Sequence, residues 1–225
     1  MKRAMVVSLI LFFWSGQAIV LASLAEVEAL VKKVDARYLK TQDLQAEFSQ
    51  ETQIEGFESR LSSSGRVLLK KPGLLRWDYQ KPNVEQILVE GDQVMWYVPE
   101  HQQVVKGNLT QMAASKAPLT LLQGVGKLGE QFDISDSPDQ KKEHGELPLV
   151  ILMPKPADQS TSTVTRIELT IEPKSHLIRQ IVLYEKTGNI STLQFSNIRT
   201  NQGLDTKVLR LTMPDDVVVV DAPTM

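Results

Sequence analysis

The chain has 225 residues, 42% of them hydrophobic and 23% charged, with no cysteine. That is long enough to bury a core in one ordinary domain and too apolar for a disordered protein, while the missing cysteines exclude a disulfide framework, a thiolate metal site and a cysteine nucleophile. A formal net charge of −2 argues against a nucleic-acid partner, and His101, His144 and His176 lie too far apart in sequence to suggest a histidine metal site.

The first 25 residues carry the pattern of a secretory signal peptide. Lys2 and Arg3 form a positive start, and Met5 to Phe13 is apolar apart from Ser8. The stretch that follows ends in the small residues Ala22, Ser23 and Ala25. A membrane anchor would need about 20 apolar residues in a row, and Ser15, Gly16 and Gln17 interrupt this run. Leu21-Ala22-Ser23 looks like the start of a lipoprotein signal, but the cysteine that would be lipidated is absent. Residues 1–25 are therefore expected to be removed, leaving residues 26–225 as one exported domain. Cleavage removes Lys2 and Arg3 and no acidic residue, so the mature chain is more acidic still.

Val27, Leu30, Val31, Val34 and Tyr38 fall at helical spacing, with Glu26, Glu28, Lys32, Lys33 and Asp35 off that stripe. The spacing predicts an amphipathic helix over Leu24 to about Lys40. Short strands separated by turn signals follow at intervals of about ten residues: Ala46 to Thr52, Ser64 to Lys70, a third over Leu74 to Tyr79, Val84 to Glu90, Gln93 to Val98 and His101 to Lys106. In the third, Leu75, Trp77 and Tyr79 alternate with Leu74, Arg76 and Asp78, which gives one aromatic face and one mixed face. From Thr110 to Gly129 the period changes to helical, around Ala113, Ala114, Ala117, Leu119, Leu121 and Leu122. Strands return at about Gln131, then at Thr165 to Glu172, Leu177 to Glu185 and Ile190 to Ile198. Ser135 to Leu147 and Ala157 to Thr163 read as polar loops, and no repeat or linker divides the chain.

Motifs that carry chemistry are scarce. Gly124-Val125-Gly126-Lys127-Leu128-Gly129 spells a dinucleotide fingerprint, but a helix precedes it and a strand follows, the reverse of what a phosphate site requires. Neither a Gly-x-Ser-x-Gly nor a His-Glu-x-x-His is present. No cofactor, metal or catalytic residue is expected. What remains is a set of apolar strand faces and a separate apolar helical segment. An antiparallel sheet curved around itself can enclose a cavity larger than its own side chains fill. Such a cavity has to be covered in water, and Leu119, Leu121 and Leu122 beside a glycine-rich connection have the composition of a movable cover.

The segment Gly65-Arg66-Val67-Leu68-Leu69-Lys70-Lys71-Pro72-Gly73-Leu74-Leu75-Arg76-Trp77-Asp78-Tyr79-Gln80-Lys81-Pro82 resembles the signature of the periplasmic outer-membrane lipoprotein carrier family (LolA). Gly91-Asp92-Gln93-Val94-Met95-Trp96-Tyr97-Val98-Pro99 is similar to the family's aromatic hairpin, and Lys116-Ala117-Pro118-Leu119-Thr120-Leu121-Leu122 to its lid helix. The resemblance implies a mainly β fold with helices: an unclosed, strongly curved antiparallel β-barrel capped by an N-terminal helix and a short lid helix. It implies a monomeric periplasmic carrier, not an enzyme, that takes acylated lipoproteins from an inner-membrane lipoprotein-releasing ABC transporter to an outer-membrane acceptor. A lipid- or lipoprotein-sensing module on the same fold is the alternative.

Carried onto this chain, the resemblance makes Leu75, Trp77 and Tyr79 one cavity-facing row and Val94 with Trp96 a second. Leu119, Leu121 and Leu122 become the lid. Where many relatives have an arginine latch before the first proline, this chain has Lys71, which lacks the five-donor fork; Arg66 is another residue that could hold the lid. The tryptophan of the second hairpin stands one position later than is common in the family, and a shift of one residue exchanges the faces of a strand.

Overall fold

A computed structural model describes residues 16–109, 122, 127–135, 147–156, 158 and 162–222, with side chains from Leu24 onward. The lid candidates Leu119 and Leu121, the Gly124–Gly126 stretch and most of the 135–147 loop lie outside the described residues.

A single helix, α1 (Gly16–Leu39), comes first. It begins eight residues before the expected Leu24, so the expected boundary at Ala25 falls within it. Its buried positions are Val27, Val31, Val34 and Tyr38, and Leu30 is half-buried beside them. Among the described residues, no helix is long and apolar enough to cross a membrane.

Six strands follow: β1 (Asp43–Gln53), β2 (Arg60–Lys70), β3 (Leu74–Lys81), β4 (Glu85–Glu90), β5 (Gln93–Val98) and β6 (Gln103–Asn108). The expected start of β6 at His101 is instead the end of a 3-10 turn, Pro99–His101, closed by Gln102 in the left-handed region at φ 47. A one-turn helix, α2 (Leu128–Gln131), leads into β7 (Phe132–Ser135). The Leu128 N–H at the start of α2 donates to Asp35 Oδ1 at 3.1 Å, tying α2 to α1. Then come β8 (Leu149–Pro154), β9 (Val164–Ile171), β10 (Ile178–Glu185) and β11 (Ile190–Thr200). A 3-10 turn at Thr206–Leu209 precedes the last strand, β12 (Val218–Asp221). Strands β8 and β12 have no counterpart in the sequence expectations.

Among the described residues, twelve strands form one sheet in the order β12-β6-β5-β4-β3-β2-β1-β11-β10-β9-β8-β7. Each neighbouring pair is antiparallel except β12 and β6, which are parallel. The terminal strands β7 and β12 do not pair with each other, so the sheet is curled but unclosed. One face is wrapped around the main core. The buried side of α1 meets Leu44, Phe48, Val67, Leu75, Trp77 and their counterparts on β8 to β11 within a single cluster. This is the usual solution for a sheet with one apolar face: a helix covers the surface that water would otherwise wet.

The outer face is covered in part by the C-terminal segment. Asp43 accepts from the backbone N–H groups of Gln202 at 2.8 Å, Gly203 at 2.9 Å and Leu204 at 3.3 Å. Arg76 Nη1 donates to the carbonyls of Val208 at 3.1 Å and Arg210 at 2.6 Å. These bonds strap residues 202–210 across the sheet. Arg76 and Asp78, which alternation would turn to solvent, are consequently buried.

Candidate functional site

Strand register decides which side chains share the concave face. Leu44, Leu69, Leu75, Val89 and Val94 stand opposite one another across β1 to β5. The next rung toward the far end of β3 is Ala46, Val67, Trp77, Ile87 and Trp96. A third places Phe48, Gly65, Tyr79 and Glu85 in line. Leu75 and Val94 therefore share one rung, and Trp77 and Trp96 share the next. Trp96 lies on the same face as Trp77, because Ile87 pairs with both.

The rung of Leu75 is closely packed. Leu75 and Val89 are fully buried, and Val94 is 1% exposed. A cavity of about 50 Å³ remains beside it, lined by Tyr38, Thr41, Leu69, Lys71, Leu75 and Leu122. That is room for a few waters and too little for an acyl chain. Leu122, the one lid candidate among the described residues, is buried in the same core as Leu75. Lys71 Nζ points at the end of α1, donating to the carbonyls of Tyr38 at 2.7 Å and Leu39 at 3.0 Å. Arg66, the other latch candidate, is bound to Asp78 Oδ2 on the outer face at 2.8 Å.

Trp77 is the centre of an aromatic cluster that joins neighbouring rungs. The Phe48 ring lies 4.5 Å from Trp77 and 5.3 Å from Tyr79, centroid to centroid, the latter edge to face. Phe195 meets Trp77 edge-on at 6.3 Å. Phe48 and Phe195 are paired across β1 and β11. Sequence analysis did not single them out, although each sits inside a strand it expected; only their pairing brings them to Trp77.

Toward Tyr79 the face turns polar. The Tyr79 hydroxyl donates to Gln50 Oε1 at 3.0 Å. Burial pushes its pKa up to about 12, with the Glu85 carboxylate adding to the rise and the Trp77 indole opposing it. Trp96 Nε1 donates to Glu85 Oε2 at 2.9 Å. These groups line an open cleft of about 710 Å³ that also takes in Arg60, Leu61 and Lys81. Ligand pockets commonly enclose roughly 300–1,000 Å³. Among the described residues no three His, Asp or Glu side chains converge to hold a metal ion.

A curled, unclosed sheet with a helix against its concave face fits one family on sequence as well. The model of the family described as outer membrane lipoprotein carrier protein LolA matches residues 39–212. The chain belongs to that family. An outer-membrane lipoprotein carrier protein of Pseudomonas aeruginosa is 30% identical over 202 residues, covering 88% of this chain and 92% of that one. A protein of the same description from Methylococcus capsulatus is 32% identical over 178 residues, covering 79% and 81%. Among solved structures, a conserved protein of Thermus thermophilus aligns with a TM-score of 0.53 over 87% of this chain and 99% of its own, at 14% identity, which is a likeness of fold.

The LolA match spans β1 to β11 and both candidate rows. It ends at residue 212, ahead of β12. The strapped segment 202–210 is therefore inside the matched region, while the last strand is outside it.

Proposed function

We propose that this protein is a periplasmic carrier that takes the acyl chains of lipoproteins into the concave side of its sheet. It receives them from an inner-membrane lipoprotein-releasing ABC transporter and passes them to an outer-membrane acceptor. The observation that supports this best is the inward row Leu75, Trp77, Val89 and Val94, buried in a sheet whose first and last strands never meet. Its relatives are named as carriers of such cargo.

Each acyl CH₂ withdrawn from water is worth about 0.8 kcal/mol, so a lipoprotein needs an apolar host to cross an aqueous space. The host must also let go. In this reading α1 and Leu122 fill the interior when no cargo is present. Cargo affinity is then a difference between two burials rather than the full value of one. Leu75, Trp77, Tyr79, Val94 and Trp96 line the cavity. Leu119, Leu121 and Leu122 form the competing cover. Lys71 shares the small cavity with Leu122 and secures the base of the closed arrangement. The chain works as a monomer after loss of residues 1–25, and it needs no cofactor.

The test is displacement of a fluorescent apolar probe from the chain lacking residues 1–25. A triacylated lipopeptide is compared with a phospholipid of similar chain length. Selective displacement by the lipopeptide is expected, followed by release of lipoproteins from spheroplasts. Trp96→Ala, at a half-buried position in the cleft, is expected to fold and to bind several-fold more weakly. Displacement by neither lipid from a folded protein would overturn the reading.

A further inference from the structure

The sheet ends differently at its two edges. At one, β7 turns Phe132 and Ile134 toward the main core. At the other, β12 leaves Val218 56% and Val219 50% exposed. These neighbours point to opposite faces, as successive residues of a strand do. On the side of Val218, Val220 stands beside Val105 and Ala222 packs against the core, so burial accounts for that face. It does not account for Val219, which looks the other way.

The backbone of β12 is open as well. The N–H groups of Val218 and Ala222 donate to the carbonyls of Gln102 at 2.8 Å and Lys106 at 2.6 Å, on the β6 side. Peptide groups alternate in direction along a strand, so those of Val219 and Asp221 point away from β6. Among the described residues, no strand lies beyond β12. Such an edge is a template for one more strand. Natural sheets blunt an edge with a lysine, a proline or a bulge within it, and Val217-Val218-Val219-Val220 has none of these.

The charges stand at the ends of this run instead, and they select the occupant. Asp215 and Asp216 precede it, are exposed, and make no ion pair among the described residues. Asp221 closes it, with Lys106 beside it in register. A second copy paired antiparallel about Val219 would set each Asp221 opposite the other copy's Val217, next to its Asp216. Like charges gathered in this way oppose the pairing. A strand with basic ends meets the same acids favourably.

We propose that the open edge of β12 takes up an extended segment of a partner protein, apolar at its centre and carrying lysine or arginine at its ends, as a further strand of the sheet. The main-chain groups of Val219 and Asp221 supply hydrogen bonds, Val218 and Val219 supply apolar contact on the two faces, and Asp215 with Asp216 set the charge preference. The edge shares no residue with the small cavity or the open cleft, so this assignment does not depend on the carrier reading.

The experiment uses the chain lacking residues 1–25 and the labelled peptide Lys-Lys-Val-Thr-Val-Lys-Lys, read by fluorescence anisotropy. Its controls are the same peptide with glutamates for the lysines and one with proline for the threonine. The basic peptide is expected to bind about tenfold more tightly than the acidic one at low salt, the combined effect of a few exposed charge pairs, and to lose that advantage at high salt. The proline peptide is expected to fail, since it cannot complete the ladder. Amide exchange at Val219 and Asp221 should slow when the basic peptide is added. The double variant Asp215→Lys with Asp216→Lys should prefer the acidic peptide and bind lipopeptide as wild type does. Absence of binding, equal binding of basic and acidic peptides, undiminished binding of the proline peptide, or protection elsewhere than β12 overturns the assignment. A dimer that protects Val219 without peptide gives the edge to a second copy and overturns it too. Should the double variant fail to fold, the exchange pattern of the wild type decides.

Discussion

Lys71 Nζ donates to the main-chain carbonyl of Tyr38 at 2.7 Å, and to that of Leu39 at 3.0 Å. An ammonium group thus sits where α1 ends. The last carbonyls of a helix have no partners within it and carry the negative end of its dipole. Tyr38 is held from its other side as well. Its phenolic oxygen accepts from the Ile178 backbone N–H at 3.2 Å, and burial raises its pKa to about 12. A lysine on the β2–β3 turn therefore fixes the end of the helix that fills the concave face. It does so from the wall of the cavity that Leu122 and Leu75 also line.

Replacing Lys71 by Met is expected to lower stability by about 1–2 kcal/mol, the worth of hydrogen bonds from a charged donor to helix-terminal carbonyls. Chemical denaturation measures the loss. The change is local, so amide exchange should quicken over residues 36–41, where Lys40 and Thr41 make the closing bonds of the helix. Lys71→Arg should retain most of the protection. Unaltered exchange in Lys71→Met would mean that the helix end is held by other contacts.

The strap of residues 202–204 depends on Asp43. Burial works against the Asp43 charge, but the N–H groups of Gln202, Leu204 and Gly203 outweigh it, with Lys70 assisting, and hold its pKa below the ordinary 3.8. A carboxylate with a depressed folded pKa contributes stability above its unfolded value and loses it as pH falls through the folded one. The strap is expected to stay bound at neutral pH and to loosen only below about pH 3.9, the ordinary range for Asp. Limited proteolysis within 202–210 should show this onset in the wild type. Asp43→Asn keeps one acceptor oxygen and no charge, and should be cut more readily at neutral pH. Equal cleavage of the two proteins at pH 7 would remove Asp43 as the anchor.

Asp78 is the centre of a three-part ion cluster. Its side chain is 5% exposed, 2.7 Å from Arg76 Nε and 2.8 Å from Arg66 Nε. Asp78→Ala leaves the nearly buried Arg76 guanidinium without a counter-charge, which commonly costs about 3–5 kcal/mol. The double variant Arg76→Met with Asp78→Leu removes both charges and should recover much of that loss. It also removes the donors to Val208 and Arg210, so residues 208–210 should still exchange faster than in wild type. A double variant no more stable than Asp78→Ala would show that the straps, rather than the charges, carry the stability.

Sequence pattern revealed the shared face of β3 because alternation needs only local information, whereas the face of Trp96 on β5 follows only from its pairing with Ile87. Leu75, Trp77 and Tyr79 face one way at period two whatever their neighbours are. The outer face reads only as mixed, and local pattern does not say that it is covered. Arg76 is covered by the chain near Val208 and Arg210, more than 130 residues away, and Asp78 is buried beside it. Strand β8 escaped notice because Leu149 to Leu152 are buried on both faces, and a continuous apolar run has no period to read. Strand β12 escaped because its parallel pairing with β6 is non-local. The meeting of Phe48, Phe195 and Trp77 depends on register between β1, β2, β3 and β11, which no single segment encodes.

Gly65 is the position in the matched signature where bare backbone matters most. Its φ is not in the left-handed region, so conformational freedom is not the reason. A Cβ built there falls 1.8 Å from the Asp78 carbonyl oxygen and 3.1 Å from the edge of the Phe48 ring. The first contact is with backbone, which cannot rotate away. It occurs where the β2–β3 register shifts between Ser64 and Gly65, so the missing side chain lets β3 approach closely there. Gly65→Ala must displace the strand that carries Trp77, Asp78 and Tyr79. Overpacking of this kind typically costs about 1–3 kcal/mol, and backbone involvement places Gly65→Ala at the upper end or beyond. The near-ultraviolet circular dichroism of the aromatic cluster should change with it, since Phe48 packs on both Trp77 and Tyr79. A Gly65→Ala protein with wild-type stability and an unchanged aromatic signal would show that β3 can shift freely, and that the rungs of the concave face are not held in register by this contact.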